Sequence, residues 1–367
     1  DDLGYGDLGC YGSEIQTNCM DSLAAGGVRY NNFHVTALCA PTRACLLTGR
    51  NAHAVGVGNI AEWGREDLPG YKGWIRPDAY TLAEMLHPVG YNTLAVGKWH
   101  LSMIGKQGAM GPFDQWPTGR GFNHWYGFHG SAADHWYPEL FRNSEEVYPD
   151  RADGYHLTED LVDQSIAYIG NHRQSSPENP FFLYLALGAC HFPYHVPADY
   201  MARYSGNYNS GWDELRKGRY ARQRELRVLP AHAELAPRNP GVPAWADLSG
   251  DEKRFAARTQ EAYAGFLHHS DDQLQRLVDF LEKSNELDDT ILIVLSDNGA
   301  GSWAPPAGRL DVHRAVYINS EPIEELMLNI DKVGTAESQP SYSPGWAQAS
   351  NTPLKWYKGN TYGGGTR

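Results

Sequence analysis

The sequence predicts an α/β fold in which a mostly parallel sheet has helices on both sides. The prediction rests on apolar, β-rich runs that alternate along the chain with segments of helical periodicity. Two of these runs, 181–187 and 290–295, are continuously apolar, which is typical of strands covered on both faces. The length of 367 residues allows two domains, or one large α/β domain with insertions.

The individual elements follow from local patterns. Strands are predicted at 28–35, 91–96, 181–187 and 290–295, and helices at 81–87, 158–169 and about 251–283. The last helix is preceded by the polar run Ser249-Gly250-Asp251-Glu252, which can cap its first turn.

Two stretches do not follow this alternation. Residues 105–149 are predicted to be loop-like, and their aromatic part, 122–137, either rims a substrate pocket or packs as a surface loop. Residues 204–248 are basic, then rich in Pro and Ala, which indicates an insertion within the domain.

Composition excludes several classes of protein. The formal net charge is −13 at pH 7, which argues against a nucleic-acid partner because phosphate binding needs clustered Lys and Arg. No apolar run approaches the roughly 18 residues that a membrane-spanning helix requires. The five cysteines are too few and too scattered for a disulfide framework, and none has the spacing of a structural zinc site.

The most specific stretch surrounds Cys39. Pro41 suits the first turn of a helix, whose N-terminal backbone donors can bind an anion. Arg43, one turn further on, adds a planar cationic group. A nucleophile at position 39 would therefore face an anion site, although this pattern alone also fits a capped helix with a buried cysteine.

A second group of side chains is rich in oxygen ligands. Asp1 and Asp2 open the chain, and Asp297 and Asn298 follow the predicted strand 290–295. Ligand sites of open parallel sheets lie beyond the carboxyl ends of strands. Carboxylate and amide oxygens suit Ca²⁺ or Mg²⁺ rather than zinc, while Asp-Asn-Gly is also a common turn.

These segments resemble a known family. The run Cys39-Ala40-Pro41-Thr42-Arg43, ending in Leu46-Leu47-Thr48-Gly49, resembles the sulfatase signature C-x-P-S/T-R-x-x-x-L-T-G at every defined position. Residues 90–100 resemble the second sulfatase signature, and residues 1–9 and 296–299 resemble the paired metal-binding segments. The resemblance covers nearly the whole chain in the family's order, with 204–248 more similar to bacterial aryl- and alkylsulfatases than to animal ones.

The resemblance implies a nucleophile and a metal. In this family a dedicated formylglycine-generating enzyme oxidises the signature cysteine, here Cys39, to formylglycine, whose hydrated aldehyde is the nucleophile. The metal ligands would be Asp1, Asp2, Asp297 and Asn298, with Ca²⁺ favoured and Mg²⁺ as the alternative.

The resemblance also implies roles for five further residues. Arg43, Lys98 and Lys358 would hold the sulfate, His191 would protonate the leaving oxygen, and His100 would act as a base. At position 190 this chain has Cys where the family usually has Pro, and His195 is the alternative to His191. Likewise, Lys355 is the alternative to Lys358.

The implied reaction is hydrolysis of an aryl or alkyl sulfate ester, a small molecule, to an alcohol or phenol and inorganic sulfate. Two alternatives remain open: a phosphonate monoester or phosphodiester hydrolase of the same superfamily, and a non-catalytic homologue whose Cys39 is never converted. The implied fold is alkaline-phosphatase-like, a large mixed, mostly parallel sheet sandwiched by helices. We expect residues 1–367 to be a catalytic domain truncated at both ends, lacking an N-terminal strand and a C-terminal domain, so that its compartment, bacterial cytoplasm or periplasm, is not defined.

Overall fold

The computed structural model describes residues 1–151, 154–317 and 321–367. The chain forms two compact units. The first unit comprises Asp1–Ala37, Ala189–Gln275 and Thr290–Arg367, and the second comprises Leu38–Gly188 and Arg276–Asp289.

The second unit contains a five-stranded mixed sheet. Its strands are β1 (Asn92–Lys98), β2 (His124–Phe128), β3 (Leu140–Arg142), β4 (Glu145–Val147) and β5 (Phe181–Ala186), in the order β4-β3-β2-β1-β5. The central strand β1 runs parallel to both β2 and β5, whereas β3 is antiparallel to β2 and β4. The carboxyl ends of β1, β2 and β5 therefore lie at one edge of the sheet.

Helices precede and follow these strands. In chain order they are α1 (Asn18–Gly26), α2 (Cys39–Thr48), α3 (Leu82–Leu86), α4 (Leu157–Ser175), α5 (Ala198–Ala202), α6 (Gly211–Glu225), α7 (Gly250–Lys283), α8 (Ile323–Leu328), α9 (Pro344–Ser350) and α10 (Gly363–Thr366). In the part of the chain that the structure describes, no helix combines the length and apolar character needed to cross a bilayer.

Both faces of the sheet are covered, because successive side chains of a strand point to opposite faces. On one face, Ala95 of β1 and Trp125 of β2 pack in a cluster that includes Ala44 of α2. On the other face, Val96 and Tyr126 pack in a cluster with Leu157 and Leu161 of α4. The predicted α/β fold with helices on both sides of the sheet is confirmed.

Most of the local predictions are confirmed. The strands at 91–96 and 181–187 correspond to β1 and β5, and the helices at 81–87, 158–169 and 251–283 correspond to α3, α4 and α7. The cap of α7 is also present: the Glu252 N–H donates to Ser249 Oγ at 3.3 Å, and the Ser249 N–H donates to Glu252 Oε2 at 2.7 Å.

The strands predicted at 28–35 and 290–295 are wrong. Within the described residues neither segment pairs with a strand, and both are largely exposed: Val28 is 79% and Ile291 is 88% exposed. A continuous apolar run supplies side chains for a covered strand, but its backbone partner must come from another segment. No local pattern specifies that partner.

The loop predicted at 105–149 is partly wrong, because β2, β3 and β4 lie within it. Its aromatic residues Trp125 and Tyr126 are buried on opposite faces of the sheet, so they form core rather than a surface loop. The stretch 204–248 contains α6, whose Trp212 packs edge-on against Trp346 of α9 at 5.4 Å between ring centroids. This stretch therefore contributes to the core of the first unit, and its origin as an insertion stays a prediction.

Candidate active site

In the second unit, Cys39 lies at the start of α2. The preceding Leu38 is extended, and Cys39 and Pro41 are buried within the first turn. The helix ends at Gly49, whose positive φ of 64° lets its N–H return to the carbonyl of Cys45 at 2.8 Å. The predicted loop entering a helix is thus present, with residue 39 at the N-terminal end of the helix.

Cys39 is hydrogen-bonded to His100. Its Sγ atom lies 3.2 Å from His100 Nδ1, and the other ring nitrogen, Nε2, lies 2.8 Å from Glu62 Oε2. Cys39 and His100 are fully buried, whereas the side chain of Glu62 is 28% exposed. These three side chains form a linear arrangement of thiol, imidazole and carboxylate.

The position of His100 follows from the end of β1. Gly97 has a positive φ of 99°, and a Cβ atom there would clash with the carbonyl oxygen of Ala186 on β5. His100 itself has φ 57°, a left-handed conformation that is uncommon outside glycine. Its N–H donates to the carbonyl of His129, which follows β2. Two neighbouring strands therefore fix the backbone that presents this imidazole.

The surroundings shift the pKa values of the pair in opposite directions. Burial by itself lowers the pKa of His100, but the charge of Cys39 and the hydrogen bonds to Cys39 and Glu62 outweigh it, so the pKa is raised. Burial raises the pKa of Glu62, but its hydrogen bond to His100 and the charge of that ring lower it to about 2. Glu62 is therefore ionised at neutral pH.

Two cations lie close by in the same unit. The Arg43 guanidinium donates from Nη1 to the carbonyl of Lys98 and to the Tyr184 hydroxyl, both at 3.2 Å. Arg43 and Lys98 are buried, at 4% and 1% exposure. The second unit thus brings together four residues that the sequence predicts to be catalytic: Cys39, Arg43, Lys98 and His100.

The first unit carries the predicted metal ligands. Ligand atoms of Asp1, Asp2 and His191 lie within 4.8 Å of one another, and a carboxylate oxygen of Asp297 lies within the same distance of Asp1. Asn298 Nδ2 donates to Asp2 Oδ1 at 2.8 Å and to the carbonyl of Gly299 at 2.9 Å. All four predicted ligands are therefore close together.

The side-chain oxygen of Asn298 has the properties of a cation ligand. It is fully buried and accepts no hydrogen bond from any of the described residues. Because both contacts of Nδ2 fix the orientation of the amide, the oxygen is held in place without a donor. A buried carbonyl oxygen beside several carboxylates fits a hard divalent cation, which supplies the charge that these oxygens need.

Asp2 also contacts a lysine. Lys358 Nζ lies 2.6 Å from Asp2 Oδ1, and His191 Nε2 lies 3.8 Å from Asp2 Oδ2. Burial raises the pKa of Asp2, but the charges of Lys358 and His191 lower it to about 2. This carboxylate therefore remains ionised and available to a cation.

The members of the two pairs of alternatives, His191 and His195, and Lys358 and Lys355, have different neighbours in the structure. His191 lies beside Asp2, whereas His195 Nε2 is hydrogen-bonded to the carbonyl of Ser338 at 2.7 Å. Lys358 reaches Asp2, whereas Lys355 Nζ lies over the ring of Trp356, 5.8 Å from its centroid. His191 and Lys358 are thus the members of each pair that lie in the acidic cluster.

Sequence reasoning missed a buried ionic network beneath the loop that carries Asp1 and Asp2. Asp7 accepts hydrogen bonds from the Gly4 N–H at 2.8 Å, from the Tyr263 hydroxyl at 2.7 Å and from Arg219 at 2.7 Å. Arg219, on α6, also donates to both carboxylate oxygens of Glu14 at 2.9 Å. The Asp at position 7 is near the metal-binding segment, but no spacing in the sequence connects it to an arginine more than 200 positions away.

Sequence reasoning also missed Glu62. It lies in a short 3-10 turn, Ala61–Trp63, in a stretch without a motif or a periodic pattern. Its contact with His100 joins residues 38 positions apart, and no local signal could have revealed it.

Comparison with known proteins identifies the relatives of this chain. A family model described as "Sulfatase" matches residues 1–367. An uncharacterized sulfatase of Schizosaccharomyces pombe is 33% identical over all of this chain and 67% of its own length. An arylsulfatase of Klebsiella aerogenes is 29% identical over 98% of this chain and 76% of its own length.

Among solved structures, the fold is similar to that of Ps i-CgsB, crystallised in complex with k-i-k-neocarrahexaose. The TM-score is 0.63 at 23% identity, over all of this chain and 62% of that chain. The chain therefore spans between about three fifths and three quarters of the length of these relatives.

Proposed function

Because the chain belongs to the sulfatase family, we propose that it hydrolyses aryl or alkyl sulfate esters to an alcohol or phenol and inorganic sulfate. The observation that carries this proposal is the buried Cys39 at the start of α2, hydrogen-bonded to His100. Arg43 and Lys98, in the same unit, supply positive charge suited to a sulfate group.

The nucleophile in this proposal is residue 39 after oxidation to formylglycine, carried out by a formylglycine-generating enzyme. In its hydrated form the residue offers two hydroxyl groups on one carbon. The first attacks the sulfur atom, with its proton passing to Asp297, and the bond from sulfur to the ester oxygen breaks. The second loses its proton while the carbon–sulfate bond breaks, which releases sulfate and restores the aldehyde; water then rehydrates it. A plain serine or cysteine has no second hydroxyl for this exit.

Two histidines carry out the other two proton transfers of this reaction. The His191 Nδ1–H donates to the carbonyl of Phe192 at 2.8 Å, so Nε2 is the atom that can hold a proton and transfer it to the leaving oxygen. His100 presents Nδ1 to residue 39 and is suited to take the proton of the second hydroxyl. Arg43, Lys98 and Lys358 would hold the sulfate oxygens and balance their charge.

The family generally uses a metal ion, and we propose that Asp1, Asp2, Asp297 and Asn298 hold Ca²⁺ here, with Mg²⁺ as the alternative. An all-oxygen ligand set favours these hard cations. Such a cation would draw negative charge from the sulfate oxygens.

The decisive experiment begins with the intact mass of the Cys39 peptide. Conversion to formylglycine lowers the mass by about 18 Da. Cys39→Ala should abolish sulfate release, since the covalent nucleophile is gone. The matched control is Cys45→Ala, on the same helix but half-buried, which should retain activity.

The same assays separate the alternatives. An unmodified thiol together with no turnover would favour a non-catalytic homologue. Faster turnover of an aryl phosphodiester than of the matching aryl sulfate would favour a phosphodiester hydrolase. Steady multiple turnover by Cys39→Ala would overturn the proposal.

A further inference from the structure

We propose that Glu62 is a positioning residue that fixes the tautomer of His100, so that the unprotonated Nδ1 faces residue 39. The inference rests on the proposed function for the step in which His100 acts. The contacts that carry it are Glu62 Oε2 to His100 Nε2 at 2.8 Å and His100 Nδ1 to Cys39 Sγ at 3.2 Å.

The Glu62 carboxylate determines which ring nitrogen of His100 carries the hydrogen. An ionised carboxylate only accepts hydrogen bonds, so the nitrogen that faces it must carry the hydrogen. Glu62 is ionised because its hydrogen bond to His100 lowers its pKa to about 2 despite partial burial. In neutral His100 the hydrogen therefore lies on Nε2, and Nδ1 keeps its lone pair.

The unprotonated Nδ1 of His100 is then placed to act as a base. A base needs a lone pair directed at the proton that it removes, within hydrogen-bonding distance. Nδ1 lies at that distance from the side chain of residue 39. When it takes a proton, the imidazolium that forms faces the negative charge of Glu62, which stabilises it.

The other charged neighbours of His100 do not favour its protonated form in the converted enzyme. Among the described residues, the charged or titratable groups that shift the pKa of His100 most are Cys39 on α2, Glu62 on the 3-10 turn and Lys98 on β1. Lys98 is a cation and disfavours the imidazolium, and Cys39 loses its acidic thiol on conversion. Among these groups, Glu62 is the one that can favour the imidazolium in the converted enzyme.

The test compares Glu62→Gln with Glu66→Gln. Glu66 lies four positions further along the same segment and is exposed. Both substitutions remove one negative charge, and Glu62→Gln removes it beside His100. For Glu62→Gln we expect kcat to fall by about 10- to 100-fold, by analogy with the loss of a carboxylate partner behind a metal-bound histidine. KM should change by less than about twofold, because the substrate loses no contact. Glu62→Asp, which retains the charge, should recover part of the activity.

Three further readouts separate positioning from a structural role. The acidic limb of the pH profile of kcat should move to lower pH in Glu62→Gln, since His100 loses the hydrogen bond to a carboxylate that raises its pKa. The sulfated form of residue 39 should accumulate, visible as a gain of about 80 Da on its peptide. The melting temperature of Glu62→Gln should lie closer to that of Glu66→Gln at about pH 8 than at about pH 5.5, because the contribution of the charged pair is lost as His100 deprotonates.

A direct measurement does not depend on activity. Long-range ¹H–¹⁵N NMR of the histidine side chains in the unconverted protein should show neutral His100 with its hydrogen on Nε2. A hydrogen on Nδ1, or Glu62→Gln kinetics equal to those of Glu66→Gln in an active enzyme, would overturn the inference. A wild-type protein that is fully converted and releases no sulfate would refute the proposed function instead, and the NMR experiment would still decide the tautomer.

Discussion

Lys358 Nζ lies 2.6 Å from Asp2 Oδ1, so a residue proposed to hold sulfate also contacts a residue proposed to bind the metal. The ammonium group of Lys358 and a bound cation would both interact with the negative charge of the buried Asp2 carboxylate. A cation held by Asp2 would repel this ammonium group, since both carry positive charge.

This contact predicts opposite effects of one substitution. Lys358→Met removes a charge that repels the metal, so the affinity for Ca²⁺ should rise while turnover of an aryl sulfate falls. Isothermal titration with Ca²⁺ and steady-state kinetics measure the two effects. Lys355→Met is the control, since Lys355 lies against Trp356, and it should change neither. Weaker Ca²⁺ binding by Lys358→Met would show that the lysine supports the metal site.

The acidic cluster predicts a dependence on divalent cations. Chelation should remove activity, and Ca²⁺ or Mg²⁺ should restore it, because the ligands are oxygen atoms. Asp297→Ala should weaken Ca²⁺ binding more than Asn298→Ala, since it removes a charge as well as a ligand. Asp331→Ala, an exposed carboxylate in the same unit, serves as the control. Full activity of the metal-free protein would contradict this site.

His191 predicts a dependence on the leaving group. Because a poor leaving group needs a proton as it departs, His191→Ala should slow alkyl sulfates far more than nitrophenyl sulfate. His195→Ala removes the donor of a buried hydrogen bond to the Ser338 carbonyl, so it should lower stability without this selectivity. Equal losses for both substrates would indicate that His191 binds sulfate instead.

The Glu62–His100 pair predicts a pH window for stability in the unconverted protein. The pKa of Glu62 falls from 4.5 to about 2 on folding, so its contribution is present above pH 4.5 and is lost as the pH falls towards 2. The pKa of His100 is raised above 6.5, so its contribution is complete below pH 6.5 and is lost as the pH rises through the raised value.

The free energy of unfolding should therefore differ most between wild type and Glu62→Gln from pH 4.5 to 6.5. Chemical denaturation at about pH 3, 5.5 and 8 measures this difference. A difference independent of pH would show that the pair contributes through packing rather than charge.

Several features could be predicted from the sequence because they depend on neighbouring residues. The helical periodicity of 251–283 and its cap at Ser249 are local, and both appear in α7. The segments around Cys39 and Lys98 are likewise continuous motifs, which identified the catalytic candidates of the second unit before any contact was known.

The tertiary structure decided what depends on distant partners. The run 290–295 has the composition of a covered strand, but β pairing requires a second segment at the right distance, and the structure provides none among the described residues. Similarly, His191 and His195 lie in one short stretch, and their different partners, Asp2 and Ser338, are far along the chain. The role of Glu62 could not be predicted for the same reason. A hydrogen bond between side chains 38 positions apart produces no periodic pattern in the sequence, and only folding brings the carboxylate to the imidazole.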